Sequence, residues 1–487
     1  MARIIDAFPY TDLIKVENLT DGKMMTHQLE GVEKALQRFQ NYRGFAYLFE
    51  MGTGKSLTAI YTWAVLYKAG LIKTGLVVCP KTALGVWKRE IAKFLNVPVH
   101  VQVLDSKSTI YPQTCYNGKL VIYVINYDIL KNIEKWGLKY DAVIADEGHK
   151  MKTPTTQQSK RMHVIGAASR FNLLLTGTAI TNSVMDIFSQ YQYMDSSIYG
   201  DKFYAWRKAN FMQVGYGGYT WKVKNKLTMS KILAKMHSAC MRVTKDEALD
   251  LPDVSHNIVP IALEPSARRL YEKLVKQDTA ELQTVNTQVS QNVLERLLRL
   301  SQLCGGFHVG KDENDVKFEH QASTAKLEAL EGLLEEAFSS RQKVCVFVRF
   351  RAEIAAIEEL AKKMKVKYGV IHGGVSAEER TRIEDGMQQD DDMLLFIGQI
   401  KAASECITLT QAHITIFYSF DYSYVSFDQA KCRTHRNGQK EKCTYYYLLV
   451  EKSVDYAVFR AVEGKQQLAK FSNDDYRKMA SGQGLVS

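Results

Sequence analysis

The stretch Phe45 to Ile60, FAYLFEMGTGKSLTAI, constrains this chain more than any other. An apolar run (Phe45, Ala46, Tyr47, Leu48, Phe49) reads as a buried strand, Gly52 and Gly54 force a tight turn, and Lys55-Ser56 open a helix. Backbone N–H groups at such a turn and helix start point at an anion, which the helix dipole favours. Lys55 reaches the outer phosphates of a nucleotide, and the Ser56 hydroxyl is placed to ligate magnesium. Gly52, Thr53, Gly54, Lys55 and Ser56 are therefore the expected phosphate cradle. Phe49 stands where the strict pattern G-x-x-x-x-G-K-[ST] has its first glycine, so partner motifs must decide the matter.

The decisive partner is YDAVIADEGHK, Tyr140 to Lys150, a buried strand ending in Asp146-Glu147. In a parallel α/β fold the carboxyl edge of the sheet presents ligands. Asp146 is expected to hold magnesium and Glu147 to orient the attacking water.

Around these motifs, short β-branched runs alternate with helical patterns: Leu76 to Cys79, Val121 to Ile125, Ala142 to Ala145 and Leu173 to Leu175. This is the rhythm of a parallel sheet covered on both faces. It lapses from Phe188 to Thr244, where the pattern turns helical and aromatic around a hairpin turn at Gly217-Gly218. After Leu251-Pro252 and two helical stretches, Ser266 to Val275 and Val293 to Leu303, it resumes at Val344 to Val348, Gly369 to His372, Met393 to Ile397, Ile414 to Tyr418 and Tyr445 to Val450. The expected fold class is α/β, two tandem parallel-sheet domains, 1–250 and 251–487, with a basic aromatic segment near 200–245 and a helical insertion near 264–335.

Charge sharpens the division. The net charge is +11, with 33 Lys+Arg against 20 Asp+Glu in residues 1–250 and 31 against 33 in the remainder. From Lys202 to Lys245 ten basic residues, Lys222, Lys224 and Lys226 among them, meet no acidic one and are interleaved with Phe203, Tyr204, Trp206, Phe211, Tyr216, Tyr219 and Trp221. Such a run reads as a nucleic-acid surface; the alternative is a solvated face over core aromatics. The eight cysteines form no C-x-x-C pair, so neither a zinc site nor a disulfide framework is indicated. No signal-like N-terminus or spanning apolar run occurs, which points to a protein that is neither secreted nor in a membrane.

MGTGKS with Asp146-Glu147-Gly148-His149 resembles motifs I and II of helicase superfamily two, and the remainder resembles its Swi/Snf-related branch of DNA-translocating ATPases. Gln28 in MMTHQLEGV matches the adenine-reading segment, VVCPKTALGVWKREIAKF matches motif Ia with Pro80, Lys81 and Trp87, and Leu173 to Met194 matches motif III with Thr176, Gly177, Thr178 and Asn182. MRVTKDEALDLP resembles the inter-lobe block, His372 to Arg380 motif IVa, and QAKCRTHRNGQ, Gln429 to Gln439, motif VI. The resemblance implies two RecA-like lobes that use ATP and Mg2+, with Arg433 and Arg436 as arginine fingers across the cleft and Gln429 at the nucleotide. It implies DNA-backbone contacts from Lys81, Thr82, Asn126 and Tyr127 in lobe one and from Arg351, His372, Gly373 and Lys401 in lobe two. His149 and Thr176 to Thr178 would couple ATP to DNA. The implied activity is double-stranded DNA translocation by a monomer in the cytoplasm, or in the nucleus of a eukaryote, acting on forks, joints or DNA-bound proteins. Alternatives are a strand-separating or annealing helicase and an ATP-gated DNA clamp. Two departures stand out: motif V reads Lys401-Ala402-Ala403-Ser404-Glu405-Cys406 without the family's glycines, and Gly148 replaces an alanine.

Overall fold

The computed structural model describes residues 24–110, 118–177, 179–180, 183–214, 220–284, 290–311, 317–403 and 407–464. Thr178, Asn182, the turn at Gly217-Gly218 with Tyr216 and Tyr219, and Ser404 to Cys406 lie outside them. The chain divides into two compact units, Met1–Leu249 and Asp250–Ser487.

The first unit is built on seven strands: β1 Gly44–Phe49, β2 Thr74–Cys79, β3 Val99–Val103, β4 Leu120–Asn126, β5 Ala142–Asp146, β6 Phe171–Leu175 and, after a hairpin of β7 Phe211–Val214 and β8 Thr220–Val223, β9 Cys240–Val243. Their order is β3-β4-β2-β5-β6-β1-β9, and every pairing is parallel. Every residue of β1, β2, β4 and β6 is buried, as strands covered by helices on both faces require. The edge strand β3, Val-His-Val-Gln-Val, is half-buried throughout.

The second unit carries β10 Val254–Ile261, the antiparallel hairpin β11 Phe307–Lys311 and β12 Lys317–Gln321, then β13 Val344–Val348, β14 Lys367–Ile371, β15 Met393–Gln399, β16 Ile414–Phe417 and β17 Cys443–Val450. Its sheet runs β10-β17-β16-β13-β15-β14, again all parallel. The helices Pro265–Thr284 and Ser290–Cys304 precede the β11–β12 hairpin, so the expected helical insertion also contains strands.

One sequence expectation needs a further correction. The stretch from Phe188 to Thr244 is not simply helical, because β9 closes the first sheet against β1. The expected hairpin is present as β7–β8, with Met212 opposite Lys222. Its aromatic residues turn mostly inward: the Trp206 ring lies 5.0 Å from Phe188, 5.6 Å from Tyr199 and 5.2 Å from Phe211. Among the described residues, the six cysteines are free thiols, and no helix is long and apolar enough to cross a membrane.

Candidate functional site

The phosphate loop follows β1. Gly52 and Gly54 have φ of 89° and 86°, a left-handed conformation that a side chain disfavours, and Gly54 caps the helix Lys55–Lys68. The first N–H groups of that helix have no intrahelical acceptor, so they are donors for an anion. Lys55 Nζ donates to the carbonyls of Phe49 at 2.8 Å and Glu50 at 3.2 Å. Thr53 is buried, and its hydroxyl donates to the Glu50 carbonyl at 2.8 Å.

Gln28, expected at the adenine, is buried against this loop. Its Nε2 donates to the Gly54 carbonyl at 3.2 Å, and its Oε1 accepts from Met25 N–H at 2.8 Å. A Cβ at Gly54 would lie 2.0 Å from that Nε2, so a side chain there would displace the Gln28 amide from the loop as well as strain a φ of 86°. Beside Gln28 opens a cleft of about 780 Å³ lined by Met24, His27, Glu30, Arg242 and Glu247 among others. Sequence reasoning missed these lining residues; β9 brings Arg242 there by pairing with β1, which no local pattern announces.

The two carboxylates stand at the carboxyl end of β5. Asp146 Oδ2 accepts from the Trp87 indole N–H at 2.8 Å, its Oδ1 accepts from Glu147 N–H at 3.0 Å, and its carbonyl accepts from the Tyr127 hydroxyl at 2.7 Å. Although the residue keeps part of its surface open, burial of the carboxyl and the neighbouring Glu147 push its pKa up to about 7, against the pull of Trp87 and Lys55. Glu147 has a positive φ of 51°. His149 Nδ1 lies 3.2 Å from Glu147 Oε2 and 3.5 Å from Thr176 Oγ1, so the imidazole stands in reach of both side chains. Gly177 lies next to Thr176, where an added Cβ would sit 3.4 Å from the Phe49 carbonyl. The departure at Gly148 has a steric reason: a Cβ there would meet Leu174 Cδ1 at 2.1 Å.

Magnesium fits this donor set. The Ser56 hydroxyl and the Asp146 carboxylate are hard oxygen donors of the kind that ion takes, with phosphate and water completing its shell. Among the described residues no group of three or more His, Cys, Asp or Glu could hold a metal by itself.

Of the DNA contacts expected in this unit, Lys81 is exposed and Thr82 half-buried, at the turn Lys81–Ala83 that follows β2. Asn126 and Tyr127 are buried and occupied. The Asn126 side chain accepts from Asp128 N–H at 2.8 Å, and the Tyr127 hydroxyl serves Asp146. Lys222, Lys224 and Lys226 are exposed.

In the second unit, Gln429 lies on the helix Tyr424–Lys431, and Arg433 and Arg436 follow it. Arg433 is only 4 % exposed: its Nε donates to the Gln429 carbonyl at 3.0 Å and its Nη1 to the Ile407 carbonyl at 3.1 Å. Arg436 is half-buried and donates from Nη1 to Thr408 Oγ1 at 3.1 Å. Both arginines donate to the Ile407 carbonyl, Arg436 Nη1 at 3.5 Å, and they differ in exposure, Arg433 being buried and Arg436 half-buried. Arg351, His372, Gly373 and Lys401 gather just beyond the carboxyl ends of β13, β14 and β15, which are neighbours in the sheet. Arg351, Gly373 and Lys401 are exposed. His372 Nδ1 accepts from Gly374 N–H at 3.0 Å, and burial followed by the Arg351 charge lowers its pKa. Arg380, which sequence reasoning placed only as the end of motif IVa, brackets this rim by donating to the Ala402 carbonyl at 2.7 Å and the His372 carbonyl at 3.1 Å.

Comparison with known proteins agrees with this architecture. The SNF2-related domain matches residues 27–307, more than half of the chain, and the helicase conserved C-terminal domain matches residues 325–438. An uncharacterized ATP-dependent helicase of Mycoplasma genitalium is 24 % identical over 463 residues, covering 94 % of this chain and 43 % of its own length. A Caenorhabditis elegans homolog of the SWI/SNF-related matrix-associated actin-dependent regulator of chromatin subfamily A-like protein 1 is 26 % identical over 470 residues, covering 93 % and 63 %. The chain thus spans about half the length of these relatives. A solved Sulfolobus solfataricus SWI2/SNF2 ATPase core in complex with double-stranded DNA aligns with TM-score 0.44 at 20 % identity, covering 95 % of this chain and 98 % of that one. With the SNF2-related domain matching more than half of its length, the chain belongs to the SNF2-related family.

Proposed function

We propose that this chain is an ATP-driven motor that moves along duplex DNA and remodels protein–DNA complexes, forks or joints. The observation that carries the reading is the convergence of the Lys55 loop with Asp146 and Glu147 at the carboxyl edge of one parallel sheet. In this proposal the base enters the cleft lined by His27 and Arg242, with Gln28 fixing the loop beside it. The N–H groups after Gly54 and the Lys55 ammonium hold the β- and γ-phosphates. Ser56 and Asp146 would hold magnesium, which when bound would supply charge neutralisation at those phosphates. Glu147 positions the attacking water and accepts its proton, and His149 orients Glu147.

Phosphoryl transfer spreads charge over the γ-phosphate oxygens, and a positioned arginine stabilises that charge by a factor of about 10³ to 10⁵ in rate, or roughly 4 to 7 kcal/mol. Arg436, the more exposed of the two, is the better finger; Arg433, buried, holds the segment from which Arg436 works, and Gln429 accompanies them. Lobe closure on ATP then links chemistry to DNA grip. The grip is assigned to Lys81 and Thr82 in lobe one and to Arg351, His372, Gly373 and Lys401 in lobe two. Phosphate contacts of this kind carry no sequence code, so weak sequence preference is expected. Asn126 and Tyr127 contribute from behind that surface, their side chains being engaged internally.

The test is ATP-dependent displacement of a third strand from a DNA triplex, with ATPase measured in parallel on blunt duplex. The expected result is directed displacement and many-fold duplex stimulation, both abolished by Glu147→Gln with ATP binding retained. A hydrolysis rate indifferent to DNA contradicts the motor and favours an ATP-gated clamp. Stimulation confined to forked or single-stranded DNA favours the strand-separating alternative.

A further inference from the structure

Asp146 is tethered from two directions, and each tether begins at a segment assigned above to the DNA side. The first starts after β2. The turn Lys81–Ala83 carries exposed Lys81 and leads directly into the helix Leu84–Phe94, whose buried face is Trp87 and Ile91. Because β2 pairs with β5, with Val78 beside Ala145, that helix starts next to the end of β5. The Trp87 indole N–H thereby reaches Asp146 Oδ2 at 2.8 Å. The second tether starts after β4. There Asn126 caps the 3-10 turn Tyr127–Asn132, and the Tyr127 hydroxyl donates to the Asp146 carbonyl at 2.7 Å. β4 is the other neighbour of β2, so the segments after β2 and β4 converge on one residue of β5.

Both donors are buried, Trp87 at 2 % exposure and Tyr127 at 5 %. An exposed pair would exchange with water and transmit little; a buried donor must follow its acceptor or leave a buried polar group unsatisfied. Glu147 is drawn into the same unit, since its own N–H donates to Asp146 Oδ1 at 3.0 Å. A shift of either loop therefore acts on the carboxylate, on the carbonyl and on the start of the catalytic glutamate.

We infer that Trp87 and Tyr127 are positioning residues through which DNA bound at the segments after β2 and β4 sets the placement of Asp146 and Glu147, and so raises the ATPase rate. This rests on the proposed DNA contact of lobe one. It assigns to the indole and the phenol a role in DNA stimulation that the ATP site alone does not require.

The experiment measures kcat and KM for ATP, with and without saturating duplex, and the duplex affinity, for wild type, Trp87→Phe, Tyr127→Phe and, as a packing control on the same buried helix face, Ile91→Val. The expected result for Trp87→Phe is a fall of at least fivefold in the ratio of stimulated to basal kcat, carried by kcat rather than by KM for ATP, with duplex Kd within about twofold of wild type. Tyr127→Phe, which removes a single oxygen and keeps the ring, should show the same split to a smaller degree, and Ile91→Val should keep the wild-type ratio. Equal proportional losses in basal and stimulated rates, or full stimulation in both tether variants, would overturn the inference while leaving the DNA reading standing. A wild-type enzyme that duplex does not stimulate would overturn both, and is distinguished by the wild-type measurement alone.

Discussion

At the scale of single residues, the charges that the motor reading uses are held by neighbours that set their geometry, and one charge that it does not use carries a clear stability signature. Glu353 in the second unit is fully buried. Its Oε2 accepts from Arg349 N–H at 3.1 Å, Phe350 N–H at 2.9 Å and the Ser419 hydroxyl at 2.6 Å, while its Oε1 faces Gly305 and has no hydrogen-bond partner among the described residues. Burial pushes its pKa up to about 7, against the pull of Ser419 and Phe350. The unfolded carboxyl titrates near 4.3. Between those values the folded protein holds a proton that the unfolded chain has released, so stability falls as pH rises across that window. A shift of this size corresponds to up to about 4 kcal/mol. Glu353→Gln should therefore flatten the decline in urea-unfolding free energy between pH 5 and 8; parallel curves for the two proteins would contradict the assignment. The candidate site was legible in the sequence wherever its residues are contiguous, as in Lys55-Ser56 at a helix start and Asp146-Glu147 at a strand end. What was not legible acts through space. Trp87 meets Asp146 across 59 positions of sequence, and Gln28 turns to the phosphate loop through a hydrogen bond to Gly54 that no spacing rule supplies.

At the scale of elements, the strands that the sequence made plain are those buried on both faces. β1, β4 and β13 read as continuous apolar runs because helices cover them. β3, β9 and β10 stayed hidden for physical reasons. β3 alternates Val with His and Gln at a sheet edge, β9 has only four residues, and β10, Val-Ser-His-Asn-Ile-Val-Pro-Ile, is a largely exposed edge strand whose Pro260 reads as a breaker. The β7–β8 hairpin was visible through its glycine pair, and its surface can now be assigned by alternation. Lys222 on β8 and Lys224 just after it are exposed, with Met212 opposite Lys222, while Trp221 and Val223 pack against the first unit's core. The Arg207 guanidinium sits 4.1 Å from the Trp221 ring centroid, so the aromatic residues brace the ribbon and leave its lysines to solvent. If that ribbon touches duplex DNA, Lys222→Ala/Lys224→Ala/Lys226→Ala lowers the slope of log K against log salt by about 0.9 for each phosphate that is no longer neutralised. Duplex binding titrated over a range of salt concentrations checks this, and an unchanged slope returns the run to a solvated face.

At the scale of the whole molecule, two parallel sheets each carry the residues assigned to the proposed function at the carboxyl ends of their strands, where open α/β sheets present ligands. The first unit offers a triphosphate cradle and an Asp-Glu pair; the second offers Arg351, His372 and Lys401 on one rim and the Arg433–Arg436 segment beside Ile407. The basic excess belongs to residues 1–250, which fits a polyanion lying along the unit that holds the ATP site. Neither half suffices alone in this account: the cradle binds ATP, and the rate depends on an arginine from the other half. Single-turnover hydrolysis by Arg436→Ala, at saturating ATP and duplex, tests that dependence most directly. The account predicts a loss of about 10³ to 10⁵ in rate with ATP affinity changed by less than about tenfold; a rate within tenfold of wild type would contradict it.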